Sequence, residues 1–214
     1  MSKKKLIFGV GVNDAGYVVR KSVYLDEWYS SGTRKQKQVW FCPFYMRWRD
    51  MLQRCYDKNF LSKFPTYKEC IVCEEWLLFS NFRKWMVTQD WGGKELDKDL
   101  LFQGNKEYAP DKCIFISNKV NSFILDKGLG RGDYLLGCSW SSKRRKYRSD
   151  IRRCGKTEFL GRFDSEVEAH LTWKERKHEY ACQLAESKYV TDERVKEALL
   201  AKYKNYTEVE EHLS

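Results

Sequence analysis

Leu135 to Ala185, LLGCSWSSKRRKYRSDIRRCGKTEFLGRFDSEVEAHLTWKERKHEYACQLA, is the stretch on which the reading of the fold turns. It holds three short runs of β type, with Gly-bearing turns, followed by one long run of helical period. In the middle run Tyr147, Ser149 and Ile151 fall on one side of an extended strand, and Arg148, Asp150 and Arg152 on the other, because successive side chains alternate. Gly155-Lys156 suits a tight hairpin turn; Thr157 to Phe163 makes the third run, broken at Gly161. Asp164 or Ser165 then caps a helix in which Ala169, Trp173, Tyr180 and Leu184 recur at helical spacing. That stripe needs an apolar surface to cover, and the Tyr147, Ser149 and Ile151 side supplies one. The pattern predicts a three-stranded antiparallel sheet packed on one helix.

Charge is concentrated on the same stretch. From Arg131 to Arg162 ten Lys and Arg (131, 143, 144, 145, 146, 148, 152, 153, 156 and 162) stand against Asp133, Asp150 and Glu158. A small basic sheet with a helix behind it is a shape that a duplex major groove admits. A merely solvated basic face is the plain alternative. Trp140, Tyr147 and Phe159, interleaved among the cations, favour nucleic acid.

The runs G-C-S-W (137–140), K-Y-R-S-D-I-R (146–152) and E-F-L-G-R-F-D-S-E-V-E-A-H (158–170) together resemble the plant ethylene-response-factor DNA-binding domain and its phage relatives. The resemblance implies a sheet lying in the major groove of double-stranded DNA, with Arg148, Asp150, Arg152, Thr157 and Phe159 facing it. Ser139 and Ser141 stand where that family usually has Arg. The cluster Lys143, Arg144, Arg145 and Lys146 is then expected to act mainly on phosphates, and Arg153 is expected among the DNA-binding residues.

The whole chain sets wider bounds. Its 214 residues suffice for two small domains, and 42% hydrophobic with 15% aromatic residues is ample for packed cores. A net charge of +10 and a pI near 9.1 point to a polyanionic partner. No apolar run approaches the roughly 18 residues of a membrane span, and Leu6 to Val10 after the basic start is too short for a secretory leader, so no membrane partner is expected. Eight cysteines without such a leader suggest reduced thiols. Cys70-Ile-Val-Cys73 has zinc-knuckle spacing but lacks a second pair; Cys113, or Cys42 with Cys55, would have to complete it in space, and small buried side chains are the better reading than structural Zn²⁺.

Taken in order, Leu6 to Val12 and Tyr17 to Lys21 read as two strands around a turn at Asn13 to Gly16, and Trp28 to Gln38 as a basic loop. Pro43 opens a helix with Phe44, Trp48, Met51, Leu52 and Cys55 on one stripe beneath Arg47, Arg49 and Arg54. Lys58 to Thr66 reads as a loop and Tyr67 to Val72 as a strand. A helix from Glu74 or Ser80 to Met86 carries core aromatics Trp76, Phe79, Phe82 and Trp85. Beyond Trp91-Gly92-Gly93 come a strand (Glu95 to Leu101), a Gly104-Asn105 loop, a second strand (Cys113 to Ser117) and a short helix (Asn118 to Ile124).

Leu96-Asp97-Lys98-Asp99, Gly104-Asn105 and Pro110-Asp111-Lys112-Cys113 resemble, in order, the motif of HNH (ββα-metal) nucleases of the phage and homing-endonuclease branch. The runs at Trp48 to Tyr56 and Val72 to Phe82 are similar to that branch too, so the resemblance covers about residues 40 to 186. It implies metal-dependent phosphodiester cleavage, with Mg²⁺ held by Asp97, Asp99 and Asn105 and a base beside it. Lys98 stands at the position of the usual His base, with Asp97 beside it, and Lys112 replaces a late Asn. The plain alternative is that Asp97 and Asp99 pair with Lys98 and Lys106 on a hairpin surface.

The expected fold is α+β. An HNH-like ββα domain with a helical N-terminal elaboration spans 1–126, a glycine-rich linker 127–133, the sheet-plus-helix domain 134–186 and a helical tail 187–214. The expected function, by resemblance, is phage-type double-stranded DNA binding in the cytoplasm of a host bacterium. It comes with cleavage, or as an inactive HNH-derived regulator, or as an inhibitor of a host protein such as a polymerase, nuclease or defence complex.

Overall fold

Pro43 fixes the first turn of the N-terminal helix, and the spacing of Trp48, Met51, Leu52 and Cys55 then determines which side it buries. In the computed structural model, which describes residues 6–126, 134–153 and 155–204, the chain is mixed α+β with small sheets. Its elements are β1 (Arg20–Trp28), β2 (Arg34–Phe41), α1 (Pro43–Tyr56), α2 (Lys58–Lys63), β3 (Ile71–Val72), α3 (Phe79–Met86), β4 (Lys94–Asp97), β5 (Glu107–Tyr108), β6 (Ile114–Ser117), α4 (Asn118–Ile124), β7 (Cys138–Ser141), β8 (Lys146–Arg153), β9 (Lys156–Phe163), α5 (Glu166–Ala185) and α6 (Glu193–Lys204). They divide into two compact units, 1–115 and 116–214. The division falls at Phe115/Ile116, ahead of the boundary expected at 126. The expected linker, 127–133, lies outside the described residues.

In the first unit α1 and α3 enclose an aromatic core in which Trp48, Trp76, Phe79 and Phe82 are fully buried. The Trp48 indole donates to the Trp76 carbonyl at 2.7 Å, so burial of its ring does not orphan its N–H. Arg47 and Arg54, on the same helix, are not solvated cover for that stripe. Arg47 grips Glu95 in a two-point ion pair (2.7 and 3.1 Å) and donates to Lys94 O, which fastens β4 to α1. Ile71 and Val72 pair in parallel with Glu107 and Tyr108, and β4 neighbours β6.

Several local expectations change. Leu6 to Val12 is a tight turn closed by an Ile7–Gly11 bridge, because Gly11 lies against Leu52 and Trp48 where a Cβ would sit 2.3 Å from the Leu52 side chain. The strand that follows starts at Arg20, and the expected basic loop is in fact the hairpin turn and most of β2. Lys58 to Lys63 is helical, since Asp57 caps it by accepting from Phe60 N at 2.8 Å. Tyr67 belongs to a 3₁₀ turn, leaving two residues of strand. Glu74–Leu77 is likewise 3₁₀, and β4 ends at Asp97.

In the second unit β7, β8 and β9 form one antiparallel sheet in that order, with α5 behind it. Ser165 caps α5 as expected, accepting from Val167 N. The buried stripe of α5 runs through Ala169, Trp173, Lys177, Ala181 and Leu184; Tyr180 sits on its flank. The one cation in that stripe is satisfied. The Lys177 ammonium bonds Phe123 O at 2.7 Å and Asp126 Oδ1 at 2.8 Å and lies 4.0 Å from the Phe123 ring centre. Burial lowers its pKa, against the opposing pull of Asp126. Tyr203 of α6 donates to the same carboxylate, so α4 and α6 are stapled to α5, and residues 193–204 are part of this unit rather than a separate tail.

Gly137, just ahead of β7, lies against Trp173 of α5. It has φ 77°, and a Cβ there would lie 2.1 Å from the Trp173 ring, whereas Gly155, at φ 81° in the next hairpin, faces open space. Gly155→Ala is expected to cost about 1–2 kcal/mol from backbone strain alone. Gly137→Ala adds overpacking, for a total of about 2–5 kcal/mol. Chemical denaturation followed by tryptophan fluorescence separates the two; equal losses would mean that sheet and helix do not touch in this way.

Candidate nucleic-acid interface

Strand pairing assigns the sheet residues to faces, since directly opposed residues share one. Ser139, Arg148 and Arg162 lie opposite one another, as do Asp150 and Phe159, and Arg152 and Thr157. All of these share the face away from α5. Cys138, Ser149 and Gly161, with Ile151 and Glu158, form the helix-facing side, where Cys138, Ser149 and Ile151 are buried. Arg148, Asp150, Arg152, Thr157 and Phe159 therefore share one open face; alternation along β8 placed the first three of them together.

On that face Phe159 is 48% exposed and has two guanidinium groups near it, Arg148 at 5.2 Å and Arg162 at 4.9 Å from its ring centre. Contacts of this kind hold flexible cations in place. Arg148 and Arg162 are direct cross-strand partners, an arrangement that like charges disfavour. Asp150 relieves it by bonding Arg148 (2.7 and 2.8 Å). Its carboxylate is thus committed to positioning Arg148 and is not a free contact residue. Arg152 and Thr157 are exposed beside this group.

Two of the residues expected at the interface have partners of their own. Arg153 is on the helix-facing side, its guanidinium 4.1 Å over the Tyr180 ring of α5, because odd-numbered positions of β8 point that way. Lys146 is ion-paired to Asp164 at 3.0 Å. Lys143, Arg144 and Arg145 form the exposed β7–β8 turn, with Arg145 supplying the positive φ (52°) that a glycine would normally provide. Arg162 was not singled out from sequence. Strict alternation puts Phe159 and Arg162 on opposite faces; Leu160, left without a partner in the register shift, brings them to the same one.

The residues expected to form a nuclease site lie together in the first unit, yet each already has a structural task. Asp97 Oδ1 accepts from Asp99 N at 2.9 Å and Leu100 N at 2.7 Å, which turns the chain at the end of β4. Asn105 is used up by Lys98 O, Glu107 O and Glu107 N. The Lys98 ammonium is buried between Asp99 Oδ1 (2.6 Å) and Asn105 O (2.7 Å). Burial alone would lower its pKa, but the hydrogen bond and charge of Asp99 outweigh it and leave the group above its ordinary value. Lys98 is therefore held as a cation, which is the wrong state for a general base. Burial pushes the Asp97 carboxyl up. Lys112 is paired with Glu107.

A divalent ion does not fit this donor set. An ammonium already sits among the oxygens, and the Asn105 side chain is spent on backbone groups. Among the described residues no group of three or more His, Cys, Asp or Glu is placed to hold a metal ion. Cys55, Cys70 and Cys113 are buried, and desolvation pushes the thiols of Cys55 and Cys113 up to about 12, so they behave as small core side chains.

The two units together define a class: an α+β chain that presents a cationic and aromatic β-surface backed by a helix. No family model, no curated protein and no solved structure matches the chain. Among the described residues no helix is long and apolar enough to cross a membrane.

The clasp around Lys98 has its own test. A folded-state pKa above the unfolded value means that the interaction's stability is present in full below about pH 10.4 and is lost as pH rises through the folded value. Lys98→Met should cost about 1–3 kcal/mol at neutral pH, and the difference from the wild type should shrink in urea titrations repeated above that pH. A difference that does not change with pH would show that the ammonium is not what holds the loop.

Proposed function

We propose that this protein binds double-stranded DNA through the open face of the β7–β8–β9 sheet. The observation that carries the reading is the group Arg148, Phe159 and Arg162, two cross-strand guanidiniums gathered at one exposed ring. Two like charges directly across a strand pair weaken the sheet, and a polyanion laid over them reverses that cost. Arg152 and Thr157 extend the group along β8 and β9, and Lys143, Arg144 and Arg145 stand at one end, suited to the flanking phosphates. A guanidinium fork suits the guanine edge in a major groove, and a three-stranded sheet presents several such side chains at once. The chain's excess of ten positive charges supports the same partner.

The stretch from β4 to α4 is read as HNH-derived: β4, β6 and α4 follow in the order of a ββα element, with Asp97, Lys98, Asp99 and Asn105 at its loop. In this reading the loop no longer cleaves. The position of the base is occupied by an ammonium locked to Asp99, and the amide expected on the metal is spent on the backbone. The protein then acts as a DNA-binding regulator built on a nuclease framework.

Fluorescence anisotropy with mixed-sequence duplex, over a series of salt concentrations, tests the proposal. Arg148→Ala with Arg162→Ala should weaken binding at least tenfold and reduce the slope of log affinity against log salt by about one for each phosphate no longer neutralised. Arg153→Ala, on the helix-facing side, should leave affinity within about twofold, since a cation not facing the duplex contributes little beyond screened attraction. Absence of duplex binding at low salt, or equal effects of the two changes, would overturn it.

A further inference from the structure

The N-terminal ribbon of β1 and β2 is absorbed neither by the core nor by the duplex reading. Its strands, nine and eight residues long, are solvent-exposed along nearly their whole length. A two-stranded ribbon is marginal in isolation, and an apolar ribbon left open is normally covered. This one carries Tyr24 (62% exposed), Trp28 (61%), Tyr29 (55%) and Trp40 (41%).

Register places the rings in order. Tyr24 lies opposite Gln36, Trp28 opposite Arg34 and Ser22 opposite Gln38, so these residues share a face. The Arg34 guanidinium sits 5.6 Å from the Tyr24 ring centre and 6.0 Å from that of Trp28, and it is anchored by Asp26 at 2.6 Å and by Leu25 O at 2.9 Å. The result is a row of three flat groups, ring, guanidinium and ring, fixed along one face and bordered by the amides of Gln36 and Gln38. Between Arg20 and Phe41 five Lys and Arg stand against two acids, and Arg20, Lys21 and Lys37 carry no ion pair to a described acid.

From this geometry we infer that the β1–β2 ribbon is a docking surface for single-stranded DNA, whose unpaired bases stack on Tyr24, Arg34 and Trp28. Stacking needs bases with open faces, and those of a duplex are closed by their neighbours. Unpaired bases on aromatic rings, with cations tracking the phosphates, are the usual basis of strand binding without strong sequence preference. A protein partner would match the rings but not the net positive charge or the polar border of Ser22, Gln36 and Gln38. The inference goes beyond duplex binding by the sheet and draws on that reading only for the choice of DNA over RNA.

The full chain is titrated into labelled oligothymidylate, into oligouridylate and into duplex. Tyr24→Ala with Trp28→Ala is expected to weaken oligothymidylate binding at least tenfold, and to change duplex binding less than about twofold. Tyr24→Phe with Trp28→Phe keeps the flat rings and should retain strand binding within about threefold. Arg148→Ala with Arg162→Ala should do the reverse, sparing the single strand. If the alanine pair melts the ribbon, seen as a loss of β-signal in circular dichroism, the phenylalanine pair decides, and its failure in a folded protein overturns the inference. So does oligothymidylate that does not bind, as expected of a ribbon that docks a protein, or oligouridylate that binds more tightly. Strand binding that persists where duplex binding fails supports the ribbon and removes the sheet reading alone.

Discussion

One unpaired residue determines the chemistry of the C-terminal sheet. Ser149 pairs with Gly161 and Asp150 with Phe159, so Leu160 has no partner and β9 changes phase in its middle. Without that shift Arg162 and Phe159 would point to opposite sides, and the cations of β8 would stand on a face with no aromatic support. Gly161, at φ 152° and with the Phe163 ring 2.9 Å from where a Cβ would sit, makes the phase change tolerable. Below the sheet Gly137 lets Trp173 approach, and Ser149 and Ile151 close the contact. The ordered outer face depends on this close inner one, because a sheet free to slide over its helix could not hold two guanidiniums on one ring.

The two cationic surfaces and the Lys98 loop show how differently a protein can treat a positive charge. Arg148, Arg162 and Arg34 stay partly exposed while rings, and for Arg148 and Arg34 a carboxylate, restrain them. Lys98 and Lys177 are buried, and each is matched to a carboxylate and a backbone carbonyl. Loss of a partner from such a buried pair is severe, so these lysines specify a conformation rather than bind a ligand. In the first unit the result is a loop tied to itself, with Asp97 turning the chain and Asn105 bridging it. In the second it is a staple joining three helices.

Much of this was legible along the chain. The alternation in β8 separated Ser149 and Ile151 from Arg148, Asp150 and Arg152, and apolar spacing located α1 and α5. Short elements were not legible. The α2 helix depends on the Asp57 cap, and the N-terminal run became a turn because Gly11 packs against Trp48 and Leu52. The candidate nuclease residues were found together, as their order suggested, but their bonding was invisible: nothing in L-D-K-D says that the lysine will turn inward to its own loop.

Sequence by itself determined the composition of each face, because period-two and helical repeats are local properties of neighbouring residues. It also determined the overall excess of positive charge and the identity of the core aromatics. Only the tertiary structure decided which cations share a surface, since strand register, the bulge at Leu160 and the pairing of β1 with β2 join residues whose relation depends on hydrogen bonds between strands. The same holds for protonation. Lys98 stays charged because of where Asp99 and the Asn105 carbonyl stand, and those positions exist only once the loop has closed.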